Sequence, residues 1–124
     1  MTQEDKDLLL QDVCVRLPYG VKASFCDVKK EYISIIEGID IYKFIKDDSG
    51  IETEISDVKP YLFPLSSMTE EQSKVYHELI GGMFGTNTLI NFEILTDFFN
   101  ANHLDYRSLI EKGLAIDATN LNIY

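Results

Sequence analysis

Tryptophan is absent from this 124-residue sequence, histidine and cysteine occur twice each, and proline occurs three times. Each scarcity removes a class of answer. Cys14 and Cys26 stand in no CxxC, so neither a zinc site nor a thioredoxin-like motif is supported. They read as two reduced thiols, at least one of them buried. No apolar run approaches the roughly 20 residues needed to cross a bilayer, and one of the longest is only Leu8 to Leu10. Basic residues number 11 against 21 acidic ones, a formal net charge of −10. Such a field repels nucleic-acid phosphates, whose binding relies on Lys and Arg. The one adjacent basic pair, Lys29-Lys30, is flanked by Asp27 and Glu31. Segments 1–17, 18–65, 66–90 and 91–124 each carry −2 or −3, so the acid is spread rather than gathered in a tail. Met1 to Asp7 is acidic where a secretory signal is basic, which points to a cytoplasmic protein.

The usual nucleotide and hydrolase motifs are missing as well. There is no GxSxG and no GxGxxG. Gly81 to Gly85 lacks the Lys and Ser/Thr of a phosphate-binding loop and closes a helix instead of opening one. Asp47-Asp48-Ser49-Gly50 lacks the later ligands of a calcium loop and reads as a hairpin turn with Gly50 at positive φ. No cofactor and no metal site is expected.

What is present suits an ordinary core. Hydrophobic residues make up 45%, and a chain of this length buries roughly two thirds of its unfolded surface without staples. A helix is predicted from Gln3 to about Leu17, capped by Thr2, with Glu4, Asp5 and Asp7 at its positive end. Leu9, Val13 and Leu17 recur along it, with Leu10 and Cys14 beside them. Pro18-Tyr19-Gly20 ends it. The period then changes. Val21 to Phe25, Tyr32 to Ile36, Ile39 to Ile45, Ile51 to Ile55 and Val58 to Leu62 read as short strands, with Asp27 to Lys30 a turn. Pro60 places the last of them at an edge.

Thr69 to Gln72 is a capping box. It opens a helix with Val75, Tyr76, Leu79, Ile80 and Met83 on one side and Gly85 as terminator. Thr86 to Asn91 reads as a polar loop, with Asn91 capping a third helix that turns Leu95, Phe98 and Phe99 inward. Asp105 caps a last short helix through Lys112, with Gly113 at its C′ position. Leu114 to Tyr124 is expected to fray.

The fold class is therefore α+β: an N-terminal helix, a four- to five-stranded antiparallel meander, open or curled like an SH3 barrel, and three C-terminal helices. Residues 1–124 read as a single domain, with 1–65 and 66–124 as the alternative division at Pro64 to Met68.

Two groups of residues stand out. Pro60, Tyr61, Phe63 and Pro64 form a proline-flanked aromatic segment that suits either an interaction edge or the wall joining sheet to helices. His103, Asp105 and Arg107, with Tyr106, form a polar cluster at a turn that suits either an acid–base pair or the capping of loose helix ends. The Glu70-Glu71 and Glu52/Glu54 pairs suit solvated faces.

Three segments, Leu17-Pro18-Tyr19-Gly20-Val21, Asp57 to Glu71 (DVKPYLFPLSSMTEE) and Phe99 to Ala115 (FNANHLDYRSLIEKGLA), resemble a family of uncharacterised small proteins from prophages and mobile elements of gut bacteria. The resemblance implies an element-encoded accessory protein acting inside a bacterial cell, and it carries no activity, ligand or catalytic residue.

The functional expectation is a non-catalytic protein-interaction module with a protein partner, no direct nucleic-acid binding and no membrane. A homo-oligomer is compatible with it. The alternatives are an acidic DNA mimic that inhibits a DNA-binding enzyme, and an enzyme with a site near His103.

Overall fold

The computed structural model describes residues 1–26, 30–82 and 88–124, apart from the side chains of 82–91. The expected turn at Asp27 to Lys30 falls largely outside these residues. So do the inward placement of Met83 and the helix-ending role of Gly85.

The chain begins with helix α1 (Gln3–Arg16). Thr2 Oγ1 accepts from the Asp5 N–H at 3.1 Å and Asp5 Oδ2 accepts from the Thr2 N–H at 3.3 Å, which satisfies two free donors of the first turn. Its buried face is Leu9, Asp12, Val13 and Arg16. That face includes two charged side chains and leaves Cys14 on the solvent side. Both cysteines are free and exposed, which corrects the expectation that at least one is buried.

Strands β1 (Lys22–Cys26), β2 (Glu31–Ile39), β3 (Ile45–Asp47) and β4 (Glu52–Thr53) follow in antiparallel succession, and β5 (Val58–Pro64) returns to pair antiparallel with β1. The turn after β3 is fixed by Asp47, whose Oδ1 accepts from the Ser49 and Ile51 N–H groups, with Gly50 at φ 84°. Helices α2 (Glu70–Gly82) and α3 (Thr88–Ala101) come next. The Thr69–Gln72 capping box opens α2 as expected. Helix α3 starts at Thr88, inside the expected loop and three residues before Asn91.

Two short strands, β6 (Leu104–Asp105) and β7 (Ile116–Asp117), then join β5 in parallel. The fold is thus α+β with a mixed sheet of order β4-β3-β2-β1-β5-β6, and β7 also pairs with β5. Among the described residues the strand pairings form an open path, with β4 at one end and β6 at the other.

Three finer expectations change. The segment after Asp105 makes turns rather than a helix. Ser108 sits at φ 58°, outside helical geometry, and Asp105 gathers the local N–H groups itself. The 114–124 segment does not fray: it supplies β7, and the Ala118 N–H donates to the Leu62 carbonyl at 2.8 Å. Finally, β5 is a central strand rather than an edge. Carbonyls along a strand alternate edges. The Leu62 carbonyl faces β7, so the Pro60 nitrogen, two residues earlier, faces the same edge just before β7 pairing begins at Tyr61. The missing donor therefore leaves no rung unmade.

Apolar packing falls into two clusters. Leu9, Val13, Phe25, Ile36, Ile45 and Leu62 lead the first, between α1 and the sheet, which also draws in Leu109, Leu114 and Ala115. Leu95, Phe99 and Leu104 form the second, under α2 and α3, with Phe63, Met68 and Tyr76 packed against them. No helix among the described residues is long and apolar enough to cross a membrane.

Candidate functional site

Of the polar cluster expected around His103, Arg107 reaches α1, at a partner the sequence did not single out. Asp12 and Arg16 lie one turn apart on the buried face of α1, both 0% exposed. Arg16 Nε donates to Asp12 Oδ2 at 2.7 Å and Arg16 Nη2 to Asp12 Oδ1 at 3.1 Å, a two-pronged charge-assisted contact. Nη2 also donates to the Leu104 carbonyl at 2.8 Å, which ties α1 to β6. Arg107 Nε approaches the same Asp12 Oδ1 at 3.2 Å. Both guanidiniums also approach the Tyr106 ring, Arg16 at 5.3 Å and Arg107 at 5.0 Å from its centroid. An i,i+4 Asp–Arg pair is also what a solvated helix face presents, so local sequence gives little signal that this one is buried.

Asp105 and His103 do not pair. Asp105 Oδ1 accepts from the Leu109 N–H at 3.0 Å and the Arg107 N–H at 3.3 Å, and Oδ2 from the Ile110 N–H at 2.9 Å. The carboxylate is the scaffold of the 105–110 turn. His103, at φ 57°, turns its ring onto Tyr124, with centroids 3.8 Å apart and planes 11° from parallel. Burial first, then the charges of Arg16 and Lys22, lower its pKa to about 4, so the imidazole is neutral at neutral pH.

The stack on Tyr124 belongs to a clasp over the sheet. The Lys22 N–H donates to the Tyr124 hydroxyl at 2.8 Å, and that hydroxyl donates to the Tyr61 carbonyl at 2.8 Å. The phenol thus bridges β1 and β5 one rung beyond the Ala23–Pro60 pair. Lys22 Nζ adds a 2.7 Å bond to the Ile123 carbonyl. Burial raises the Tyr124 hydroxyl to about 12.

The proline-flanked segment lies in β5. Pro60 and Tyr61 are buried, and Phe63 and Pro64 are half-buried. Phe63 packs against the second cluster and the Tyr124 ring. Of the four, Phe63 is the one packed against the helical cluster.

An outward feature lies instead between β2 and β3. Asp40 Oδ1 accepts from the Tyr42 N–H at 2.8 Å and the Phe44 N–H at 2.9 Å, and the Asp40 N–H donates to the Phe44 carbonyl at 3.0 Å. The Phe44 N–H, followed by that of Tyr42, holds the Asp40 carboxyl below its ordinary pKa against the opposing effect of burial. Lys43 takes φ 67°, completing a tight tip. This geometry projects Ile41, 88% exposed, and Tyr42, 76% exposed, into solvent, while Ile45 turns back into the core. The single strand expected over Ile39 to Ile45 is instead the last residue of β2, this turn and the first residue of β3. The available signal was Asp40, whose short carboxylate forms Asx turns, placed just before two large apolar residues.

Among the described residues no group of three His, Cys, Asp or Glu side chains converges to hold a metal ion. No family model, no curated protein and no solved structure matches the chain.

Proposed function

We propose that this protein is a non-catalytic interaction module whose β2–β3 tip is the anchor inserted into a partner protein. The observation that carries the proposal is the exposure of Ile41 and Tyr42, side by side on a turn locked by Asp40. Single exposed apolar residues are common. Two large ones held outward by a hydrogen-bonded turn are preorganised for burial, which lowers the ordering cost of binding. Tyrosine is among the residues enriched at binding hot spots. Lys43 is exposed beside them, and among the described residues no carboxylate lies within 4.0 Å of its ammonium group. An apolar pocket with an acidic rim complements that tip. The net charge of −10 opposes an anionic membrane surface as the alternative target.

Fully burying two such side chains contributes about 3–6 kcal/mol, roughly two to four orders of magnitude in Kd. The test is capture by the tagged protein from its host cells, with wild type set against an Ile41→Ser/Tyr42→Ser double variant. The proposal expects a salt-resistant partner with wild type, none with the variant, and equal melting temperatures. Equal capture by both forms refutes it. The setting proposed with this role is a phage- or element-encoded accessory protein inside a bacterial cell, a reading supported by the resemblance of residues 17–21, 57–71 and 99–115.

A further inference from the structure

Two clefts meet at Arg107, far along the chain from the tip. One, of about 410 Å³, is lined by polar groups that include Tyr19, Glu93, Asp97 and Asn100. The other, of about 300 Å³, is walled by Phe92, Leu95 and Phe99. Thr96, Tyr106 and Arg107 belong to both. These volumes fall at the small end of ligand pockets.

Behind this junction Arg107 makes no hydrogen-bonded ion pair among the described residues, although Glu93 and Asp97 stand on the same cleft wall. Arg16 engages both oxygens of Asp12. Arg107 has a 3.2 Å approach to Asp12 through Nε, which does not reach hydrogen-bond geometry, and a 3.4 Å contact from Nη2 to the Tyr106 hydroxyl. Two guanidiniums therefore share one carboxylate, and Arg107, 22% exposed, is the end of the trio that solvent reaches. The Asp105 oxygens are taken up by backbone N–H groups. The Tyr106 ring favours the cations without neutralising them. Asn100, which lines the polar cleft, is 3% exposed, yet its Oδ1 accepts from no group among the described residues. A guanidinium without a hydrogen-bonded carboxylate leaves a charge-assisted contact that a ligand can supply.

We propose that the joined clefts bind a monocarboxylate with an apolar body. The carboxylate sits on Arg107, whose planar fork matches it. The apolar body fills the Phe92–Leu95–Phe99 slot. Glu93 and Asp97, on the wall of the polar cleft, repel a second negative charge and so select against phosphate esters.

The experiment is an amide NMR titration of the full chain with three probes: phenylacetate, benzyl alcohol and phenyl phosphate. Phenylacetate is expected to bind with a millimolar Kd, in keeping with its size, and to shift the Thr96, Asn100, Tyr106 and Arg107 amides saturably. Benzyl alcohol and phenyl phosphate are expected to bind at least about tenfold more weakly, since the neutral probe lacks the charge-assisted contact. Arg107→Gln leaves the Asp12–Arg16 pair whole and is expected to abolish the preference for phenylacetate over benzyl alcohol. Phe92→Ser, at a side chain 55% exposed, is expected to weaken phenylacetate without disturbing the fold, and decides the matter should Arg107→Gln unfold. The proposal is overturned by no saturable shift in wild type, by shifts confined elsewhere, by a preference that survives Arg107→Gln, by phenyl phosphate binding as tightly, or by Phe92→Ser binding unchanged.

Discussion

Replacing Asp12 by leucine removes the carboxylate on which two guanidiniums converge, and leaves Arg16, 0% exposed, with the Leu104 carbonyl as its one hydrogen-bond acceptor among the described residues. Stranding one member of a buried ion pair costs about 3–5 kcal/mol, a large part of the roughly 5–15 kcal/mol that holds a domain together. With about 2.1 cal/mol/K of unfolding entropy per residue, 124 residues give roughly 0.26 kcal/mol/K, so the melting temperature falls by about 10–20 °C. The double variant Asp12→Leu/Arg16→Met removes both charges and refills the space with apolar atoms. Such replacements are often neutral or stabilising, and Arg107, already 22% exposed, can turn to water. The double variant is therefore expected within about 1 kcal/mol of wild type. Urea unfolding followed by far-UV circular dichroism, at unchanged m-value, reads both numbers. A cost below about 1 kcal/mol for Asp12→Leu alone, or a double variant as unstable as the two single variants added together, would refute the reasoning.

Three further outcomes are expected. His103 falls from 6.5 in the unfolded chain to about 4 in the fold, so on acidification through that window the unfolded state gains a proton that the folded state excludes, and stability drops. His103→Asn, a residue that tolerates the φ of 57°, loses the stack on Tyr124 but also this pH dependence. Its stability deficit against wild type should shrink from pH 7 to pH 4, and a constant deficit would contradict the assignment. Tyr124→Phe empties the bridge between the Lys22 N–H and the Tyr61 carbonyl, at about 1–2 kcal/mol. Hydrogen exchange at the Lys22 amide should speed up, and unchanged exchange there speaks against the bridge. Asp40→Ala frees the Tyr42 and Phe44 N–H groups while keeping Ile41 and Tyr42. Partner affinity should weaken by about tenfold for a loss of ~1.4 kcal/mol of preorganisation, and an unchanged Kd would show that the turn does not matter.

Elements governed by local chemistry were legible in the sequence. Thr2 with its acidic first turn, Thr69 with Gln72, and Asp47 with Gly50 announce a helix start, a second helix start and a hairpin, and each forms. Helix α1 and strands β1, β2 and β5 follow from apolar period and turn residues, whereas the third expected strand, Ile39 to Ile45, is mostly a turn before β3. Long-range pairings were not legible. Strands β6 and β7 are two residues each, too short to show a period, and exist because β5 offers them a free edge. The lock on the 116–124 segment depends on Tyr124 meeting Lys22, Tyr61 and His103, contacts that no local pattern encodes. At the candidate sites, His103, Asp105 and Arg107 stand out in the sequence as one cluster, but only Arg107 meets the distant Asp12, while Asp105 holds its own turn and His103 stacks on Tyr124. The tip at Ile41 and Tyr42 was read as strand because its hydrophobicity matched a strand and only its Asp40 turn did not.

The most direct measurement places a photo-reactive phenylalanine analogue at position 42, and in a control at the exposed position 111, in the host cells. The account predicts a discrete protein crosslink from position 42, absent from position 111 and competed by untagged wild-type protein. No crosslink, a lipid adduct, or the same products from both positions would contradict a tip that anchors a partner protein.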